Sequence, residues 1–447
     1  MIFPEKQLIL LFLSAGLPLA IVYSLYPETR IMISIVSVIV CIITICDALR
    51  CWHINDTVTI RLHDTLRMYR GLTAQSRFYL KSSSSVKGTI LGTITDLYYI
   101  NSDKPFSLEY DAQEEIISFS ITPLQRGIIE SLTLRIMTCS AMKLWCCIKN
   151  RYIPCNCTVF ANNRKEIHLL NALQSGGFTG NHLNPFYGKG REVDRLRNYV
   201  PGDSMGDIHW KAMARHGFPI TKEYRIERSQ SLYIIIDASC FSKRTAGYQT
   251  ISGNDSQTLP VPLIERSIIT ADILIMLANR QGDRAGLAAF DDKVKLFIPA
   301  DTGISHLTRC RITLIELQTG KSPSDYREMF QFLAGNIHRR SMILILADLD
   351  DPYSSENFSL YSSILSNKHI VCAVCPVSPG TVPLYSREVG STEEIYSALS
   401  GHLKWQSIKK LQANARKRGC DIIMATHDSL TVTAIGAYID MKRKQLL

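Results

Sequence analysis

The chain has 447 residues, of which 46% are hydrophobic and 20% charged, a balance that excludes a disordered chain and leaves enough apolar sequence for two or three packed domains. Its formal charge of +10 is spread along the sequence except for a basic run around Lys409, Lys410, Arg416, Lys417 and Arg418. One solvated helix face explains that run as well as nucleic-acid contact does, so no specific nucleic-acid partner is expected.

An uncharged run from Leu8 to Tyr26 would extend about 28 Å as a helix, close to the hydrocarbon thickness of a bilayer. A second run, from Ile31 to Cys46, is lengthened by Ala48 and Leu49 and ends near Trp52, which suits an interface, as do Tyr23 and Tyr26 at the other side. Residues 1–52 are therefore expected to form a transmembrane helical hairpin. A cleaved signal peptide would call for a basic start, whereas Lys6 is offset by Glu5. Arg50, Arg61, Arg67 and Arg70 follow the second helix, while the turn carries Glu28 and Arg30. The positive-inside rule then puts the soluble part in the cytosol, tethered to the cell (inner) membrane.

Residues 53–165 alternate short apolar stretches with turn residues. Thr57 to Leu62, Ser76 to Leu80, Thr89 to Ile94, Glu115 to Ile121 and Leu132 to Met137 read as strands of a β-rich, sandwich-like domain. From 166 to 230, glycines (Gly176, Gly177, Gly180, Gly188, Gly190) mix with dense charge, and the segment reads as loop-rich. At 231 the pattern changes again. Leu232 to Asp237 is a continuous apolar strand of the kind buried on both faces of a parallel sheet. Helix at Leu263 to Asn279, strands at Ala285 to Phe290 and Val294 to Ile298, and helices at Ile304 to Leu317 and Tyr326 to His338 follow. A strand at Met342 to Ala347, a helix near Leu360, a strand at Ile370 to Val377, a helix over Thr392 to Arg418, a strand at Asp421 to Ala425 and a helix at Leu430 to Arg443 complete an α/β domain over 231–447.

Ligands bind at the carboxyl ends of such strands. Asp237 and Asp348 both sit there, Asp237 with a hydroxyl two residues along at Ser239. Carboxylates and a hydroxyl converging from separate loops suit a hard divalent cation; alternatively, Asp237 caps the next helix or holds its loop. Other signatures fail. Thr319-Gly320-Lys321-Ser322 ends like a phosphate loop, but Ile315 replaces the first glycine and Pro323 breaks the helix that should follow. Ser84-x-x-Lys87 and Ser140-x-x-Lys143 lack partner motifs. The thirteen cysteines include Cys155-x-Cys157 and Cys372-x-x-Cys375, neither with a second pair at zinc spacing, so reduced core thiols are expected. The densest cluster runs from Tyr187 to Arg215, where Arg197 or Arg215 is placed to pair with Asp203 around the Pro201-Gly202 turn and Trp210 offers a broad anchor; it reads as a structural clasp or a docking surface.

The elements Gly188-x-Gly190-x-Glu192, Leu196-Arg197-x-Tyr199, Pro201-Gly202-Asp203, Ile208-x-Trp210-Lys211 and Ala214-Arg215 resemble, in order and spacing, the signature of domain of unknown function 58 (DUF58). Pro123-x-x-Arg126-Gly127 and Gly282-Asp283-Arg284-x-Gly286-Leu287-x-x-Phe290 are similar to further pieces of that family. The resemblance implies two membrane helices, a β-rich region and a C-terminal von Willebrand factor A-like domain. It also implies Mg²⁺ held through Asp237, Ser239, Ser324 and Asp348, in a set made degenerate by Phe241 in place of a second serine ligand. Gly206-Asp207 stands where relatives usually carry arginine. Partners implied are the lipid bilayer and a MoxR-type AAA+ ATPase. The function expected is thus a membrane-anchored, non-enzymatic adaptor that binds its partner through the von Willebrand factor A-like domain, at the strand ends around Asp237 and Asp348, with Glu192, Arg197, Tyr199, Gly202, Asp203, Trp210, Lys211 and Arg215 as a further signature or docking set; the alternative is a metal-dependent hydrolase using the strand-end carboxylates.

Overall fold

The structure, a computed structural model, describes residues 2–62, 66–82, 89–94, 100–101, 106–109, 115–140, 142–175, 187–225, 230–250, 258–378, 380–386 and 391–443. Gly176, Gly177 and Gly180 and the Ser84-x-x-Lys87 string lie outside the described residues. The chain divides into two compact units, Met1–Asn162 with Tyr248–Pro260, and Asn163–Gly247 with Val261–Leu447. The excursion Tyr248–Pro260 thus groups with the first unit, inside a stretch that composition alone assigns to the α/β domain.

In the first unit, the two uncharged runs are helices long and apolar enough to cross a membrane, Lys6–Leu25 and Pro27–His53. Pro18 lacks an N–H and disturbs the helical ladder before it, and a π-helical turn spans Phe12–Gly16 at that place. Ile2–Pro4 pairs with Trp145–Cys147, and Cys51, near the end of the second helix, donates its thiol to the Thr138 carbonyl (3.3 Å). The outer ends of both helices therefore meet the same pair of strands, Gly127–Cys139 and Trp145–Phe160, which is the placement a hairpin requires.

Those two strands lie in a six-stranded sheet with Thr89–Ile94, Phe106–Glu109, Ile2–Pro4 and Leu66–Tyr69, antiparallel except where Leu66–Tyr69 runs alongside Cys157–Phe160. A four-stranded sheet joins Val58–Leu62, Ala74–Ser82, Glu115–Pro123 and Ile100–Asn101. The strand Trp145–Phe160 escapes the sequence pattern because its first half has no period of two: Cys146 and Cys147 are buried side by side, and buried positions alternate only from Ile153 on, at Ile153, Cys155, Cys157 and Val159. The Pro123-x-x-Arg126-Gly127 motif makes the corner between two strands: Gly127 takes φ +152°, Arg126 is buried, and Arg70 donates to the carbonyl of Leu124 (2.8 Å).

The second unit is built on a six-stranded sheet, with strands β1 (Ser231–Asp237), β2 (Arg284–Phe290), β3 (Val294–Asp301), β4 (Met342–Leu346), β5 (Ile370–Val377) and β6 (Cys420–Thr426). Their order is β3-β2-β1-β4-β5-β6, parallel except for β3. This is the doubly wound arrangement, and it explains the unbroken apolar runs: Ile234 and Ile236 face one side, Ile235 and Tyr233 the other, and all are buried. Helices α1 (Leu263–Arg280), α2 (Ile304–Glu316) and α6 (Leu430–Arg443) cover one face; α3 (Tyr326–Asn336), α4 (Pro352–Tyr361) and α5 (Thr392–Lys417) cover the other.

The Gly282-Asp283-Arg284-x-Gly286 motif belongs to this packing. Gly282 turns the chain out of α1 at φ +75°. Buried Asp283 accepts the Gln230 N–H (3.1 Å), the Lys442 ammonium (2.6 Å) and the Tyr438 hydroxyl, which ties α6 to the start of β1 and β2. Gly286 leaves room for the Tyr233 ring, which a Cβ would meet at 2.5 Å.

The loop-rich reading of 166–230 is corrected by two elements: a helix at Arg164–Ser175 and an antiparallel hairpin of Tyr187–Asn198 with Ile220–Arg225. The hairpin carries charged residues along its length, so no apolar alternation announces it, and two register shifts interrupt it.

Candidate functional site

The order of the sheet reverses between β1 and β4, and the crevice beyond their carboxyl ends is where the loops 238–244, 317–325 and 347–351 converge. Asp237 ends β1 and is almost wholly buried, with 1% of its surface exposed. Its Oδ1 accepts the Ser239 N–H (2.9 Å), and its Oδ2 accepts the hydroxyls of Ser324 (2.8 Å) and Tyr326 (3.3 Å). Burial pushes the Asp237 carboxyl above the usual range against those three donors, and burial beside Asp237 pushes the Tyr326 hydroxyl up as well. Backbone bonds lock the same loops together: Gly320 donates to the Ala238 carbonyl (2.6 Å), Cys240 to that of Ser322 (3.0 Å) and Asp325 to that of Asp291 (2.8 Å). Gly320 lies so close to Asp291 that a Cβ would collide with its carboxylate. The Thr319-Gly320-Lys321-Ser322 stretch is thus a brace across the strand ends.

Asp348, just past β4, accepts the Asp350 N–H on Oδ1 (3.0 Å) and the Arg244 guanidinium on Oδ2 (3.1 Å). Arg244 also reaches Asp350 (3.7 Å), which Lys404 holds from the other side (2.8 Å), and its guanidinium stacks over the Phe241 ring (5.2 Å). Burial raises the Asp348 carboxyl, opposed by the Asp350 N–H and the Arg244 charge.

The structure brings Asp237, Ser239 and Ser324 into one buried cluster and places Asp348 beside Arg244. A hard divalent cation needs six or more oxygens facing one point. One feature suits it: Ser239 is fully buried and its hydroxyl makes no well-aligned hydrogen bond. The rest do not fit. Both Asp237 oxygens already accept protein donors, the outer oxygen of Asp348 is taken by a guanidinium, and Phe241 presents a ring where an oxygen is needed.

The second cluster is the signature on the hairpin. Arg197 grips Asp203 with both terminal nitrogens (2.8 and 2.7 Å), so Arg197 and not Arg215 makes the bidentate pair. The Val200 N–H (3.0 Å) and the Thr221 hydroxyl (3.3 Å) also reach Asp203, and the Arg197 contact holds its carboxyl below the usual range. Gly202 takes φ +113° in the turn, and Tyr199 donates its N–H to the Pro219 carbonyl (3.0 Å). The His209 ring accepts the Ala212 N–H (2.9 Å), capping the short helix Trp210–His216. That helix presents Lys211 and Arg215 to solvent. Glu192 lies on the hairpin with its Cα opposite that of Arg225. Trp210 is 64% exposed and Met205 77%, with Leu196, Val200 and Phe218 also exposed.

Residues 195–384 match the family described as "Protein of unknown function DUF58". The match covers less than half of the chain. That segment takes in the Arg197–Asp203 clasp, the Trp210 helix and strands β1 to β5 with both strand-end aspartates. Among solved structures, the conserved hypothetical protein BatB from Bacteroides thetaiotaomicron is similar, with 13% identity and a TM-score of 0.32 over 48% of this chain and 99% of that one. The SpRpn10 VWA domain has 10% identity and a TM-score of 0.25 over 46% and 93%. An uncharacterized membrane spanning protein from Vibrio fischeri has 15% identity and a TM-score of 0.18 over 47% and 97%. No curated protein matches the chain.

Several residues of the DUF58 segment escape sequence reasoning: Arg244, Tyr326 and Asp291 carry no local motif and are recruited over long loops. Outside the segment, Cys139 and Cys146 sit opposite each other on paired strands with their sulfurs 3.0 Å apart and Glu5 3.5 Å from Cys146. A spacing of seven residues across a turn gives no thiol motif in the sequence. The turn between them contains Ser140-x-x-Lys143, where the Ser140 hydroxyl accepts the N–H groups of Leu144 (3.1 Å) and Trp145 (3.2 Å). That string is turn chemistry.

Proposed function

We propose that this protein is a membrane-anchored, non-enzymatic adaptor whose soluble part lies in the cytosol and docks a partner protein through the signature hairpin. The observation that carries this reading is the exposed set Leu196, Val200, Met205, Trp210 and Phe218, mounted on a turn that the Arg197–Asp203 pair holds rigid. Large apolar side chains rimmed by charge, on a scaffold that spends its hydrogen bonds on staying in shape, are the make-up of a protein interface. Trp210, flanked by Lys211 and Arg215, is the natural anchor. The partner proposed is a MoxR-type AAA+ ATPase, in keeping with the resemblance of the signature.

The test is recovery of the tagged full-length protein from native membranes, with Mg²⁺ or with EDTA, and identification of co-purifying proteins by mass spectrometry. An AAA+ ATPase recovered with the wild type and lost with a Trp210→Ala, Met205→Ala double variant is the expected result. Recovery of the same ATPase by that folded variant would move the docking surface elsewhere, and no ATPase with the wild type would remove the partner.

A further inference from the structure

The strand-end cluster departs from an oxygen cage in one consistent direction. Asp348 and Asp350 face a common space, and two side chains from distant parts of the chain, Arg244 and Lys404, enter it and neutralise them. Phe241, three residues before Arg244, offers its ring face to the guanidinium, a contact that an aromatic ring makes with a cation and that an oxygen ligand set has no use for. We propose that the Arg244 guanidinium permanently holds the place a divalent cation would take between these loops, so that the strand-end surface is complete without metal.

Three features make this a built arrangement. Arg244 meets Asp348 at hydrogen-bond distance, and Asp348 is only 7% exposed, so the pair is formed against a largely desolvated carboxylate. The backbone around Arg244 is fixed independently: its N–H donates to the Phe241 carbonyl (3.1 Å), its own carbonyl accepts the Leu263 N–H (2.9 Å), and the Ser242 hydroxyl donates to the Asp237 carbonyl (2.6 Å). Arginine also keeps its charge at every pH a cell meets, so the cation in this position is never lost to protonation equilibria or dilution, as a metal ion is. Asp237 is satisfied by Ser239, Ser324 and Tyr326, while Arg244 joins the loop after β1 to Asp348 and Asp350 in the loop after β4. The Arg244 arrangement is the same whichever protein docks on the hairpin.

The experiment is a Mn²⁺ titration of the full chain in detergent, followed by the electron paramagnetic resonance of free Mn²⁺. The wild type is expected to take up none up to millimolar concentration, and its thermal midpoint is expected to be the same in Mg²⁺ and in EDTA. A Phe241→Ser, Arg244→Ser double variant, which removes the resident cation and supplies two hydroxyls, is expected to take up one equivalent and to be stabilised by it. Uptake of one equivalent by the wild type, abolished by Asp348→Asn, would overturn the proposal. So would a folded double variant that takes up none while the wild type also takes up none, because Arg244 would then not be the group standing where a metal could bind. Should the double variant not fold, Arg244→Gln replaces it: uptake of Mn²⁺ by that variant alone supports the proposal, and none overturns it.

Discussion

The two clusters of the second unit use the same residue type in opposite ways. At the strand ends, aspartates are inside and hold loops together from below: Asp237 and Asp348 are 1% and 7% exposed. On the hairpin, the aspartate is at the surface and the apolar side chains are outside it, with Asp203 gripped by Arg197 while Trp210 and Met205 stand in solvent. A buried carboxylate with every oxygen occupied is a means of fixing loops. Exposed apolar groups on a rigid turn are a means of contact. The difference separates a keystone from a docking face within one fold.

The largest way to test that separation is Tyr326→Ala. Tyr326 is fully buried, packs edge-on against Phe290 and Phe358, and donates to Asp237. Its removal leaves a cavity and strips a donor from a buried carboxylate, so a loss of about 3–5 kcal/mol is expected in denaturant unfolding of the second unit. Tyr326→Phe keeps the ring and should cost only about 1 kcal/mol. A small effect of the alanine variant would mean that the strand ends are not the keystone.

Next in size is Gly286→Ala. The new methyl group meets the Tyr233 ring on the neighbouring strand, and Tyr233 is itself stacked on Phe297 and has little room to move. A destabilisation of about 1–3 kcal/mol is expected from overpacking, read as a drop in thermal midpoint. Gly335→Ala is the control, with open space at its Cβ position.

The sheet of this unit was legible in the sequence because each parallel strand, such as Leu232 to Asp237, is buried on both faces and so is continuously apolar. The positions of Asp237 and Asp348 followed from the strand ends. What was not legible is whatever depends on distance along the chain: Arg244 meets a carboxylate 104 residues away and Tyr326 one 89 residues away, and no local pattern encodes either. The hairpin was missed for another reason. Its strands Tyr187–Asn198 and Ile220–Arg225 carry too much charge to show a period of two, although the Arg197–Asp203 pair across its Pro-Gly turn could be guessed at the level of one arginine or another.

A pH series divides the two regions further. Burial lowers the affinity of His369, at the edge of β5, for a proton. A histidine whose folded pKa is depressed binds fewer protons folded than unfolded, so stability falls as pH drops below its unfolded value of about 6.5 toward the lowered folded one. Asp203 is also lowered, mainly by Arg197, so its contribution is present above the ordinary carboxylate range and is lost only as pH falls through its depressed folded value. The α/β core should therefore begin to weaken in mild acid while the hairpin clasp persists. Thermal midpoints between pH 7.5 and 5 should depend less on pH in His369→Gln, with the remainder due to His427, which burial also lowers, and proteolysis at the Pro201-Gly202 turn should increase over the wild type in Asp203→Asn at neutral pH but not at strongly acid pH.

The smallest expected effect on stability is the one that bears most on function. Trp210→Ala removes a side chain that is 64% exposed, from the first turn of a helix already capped by His209 and closed by Gly217 at φ +77°. Its unfolding free energy should stay within about 0.5 kcal/mol of the wild type, as exposed substitutions do. Partner recovery should nevertheless fall by tenfold or more, because a central aromatic anchor costs about 2 kcal/mol or more of binding when truncated. Loss of stability equal to the loss of binding would make Trp210 a structural residue and return the hairpin to a clasp; loss of binding alone, in a protein that melts like the wild type, is what a docking face predicts.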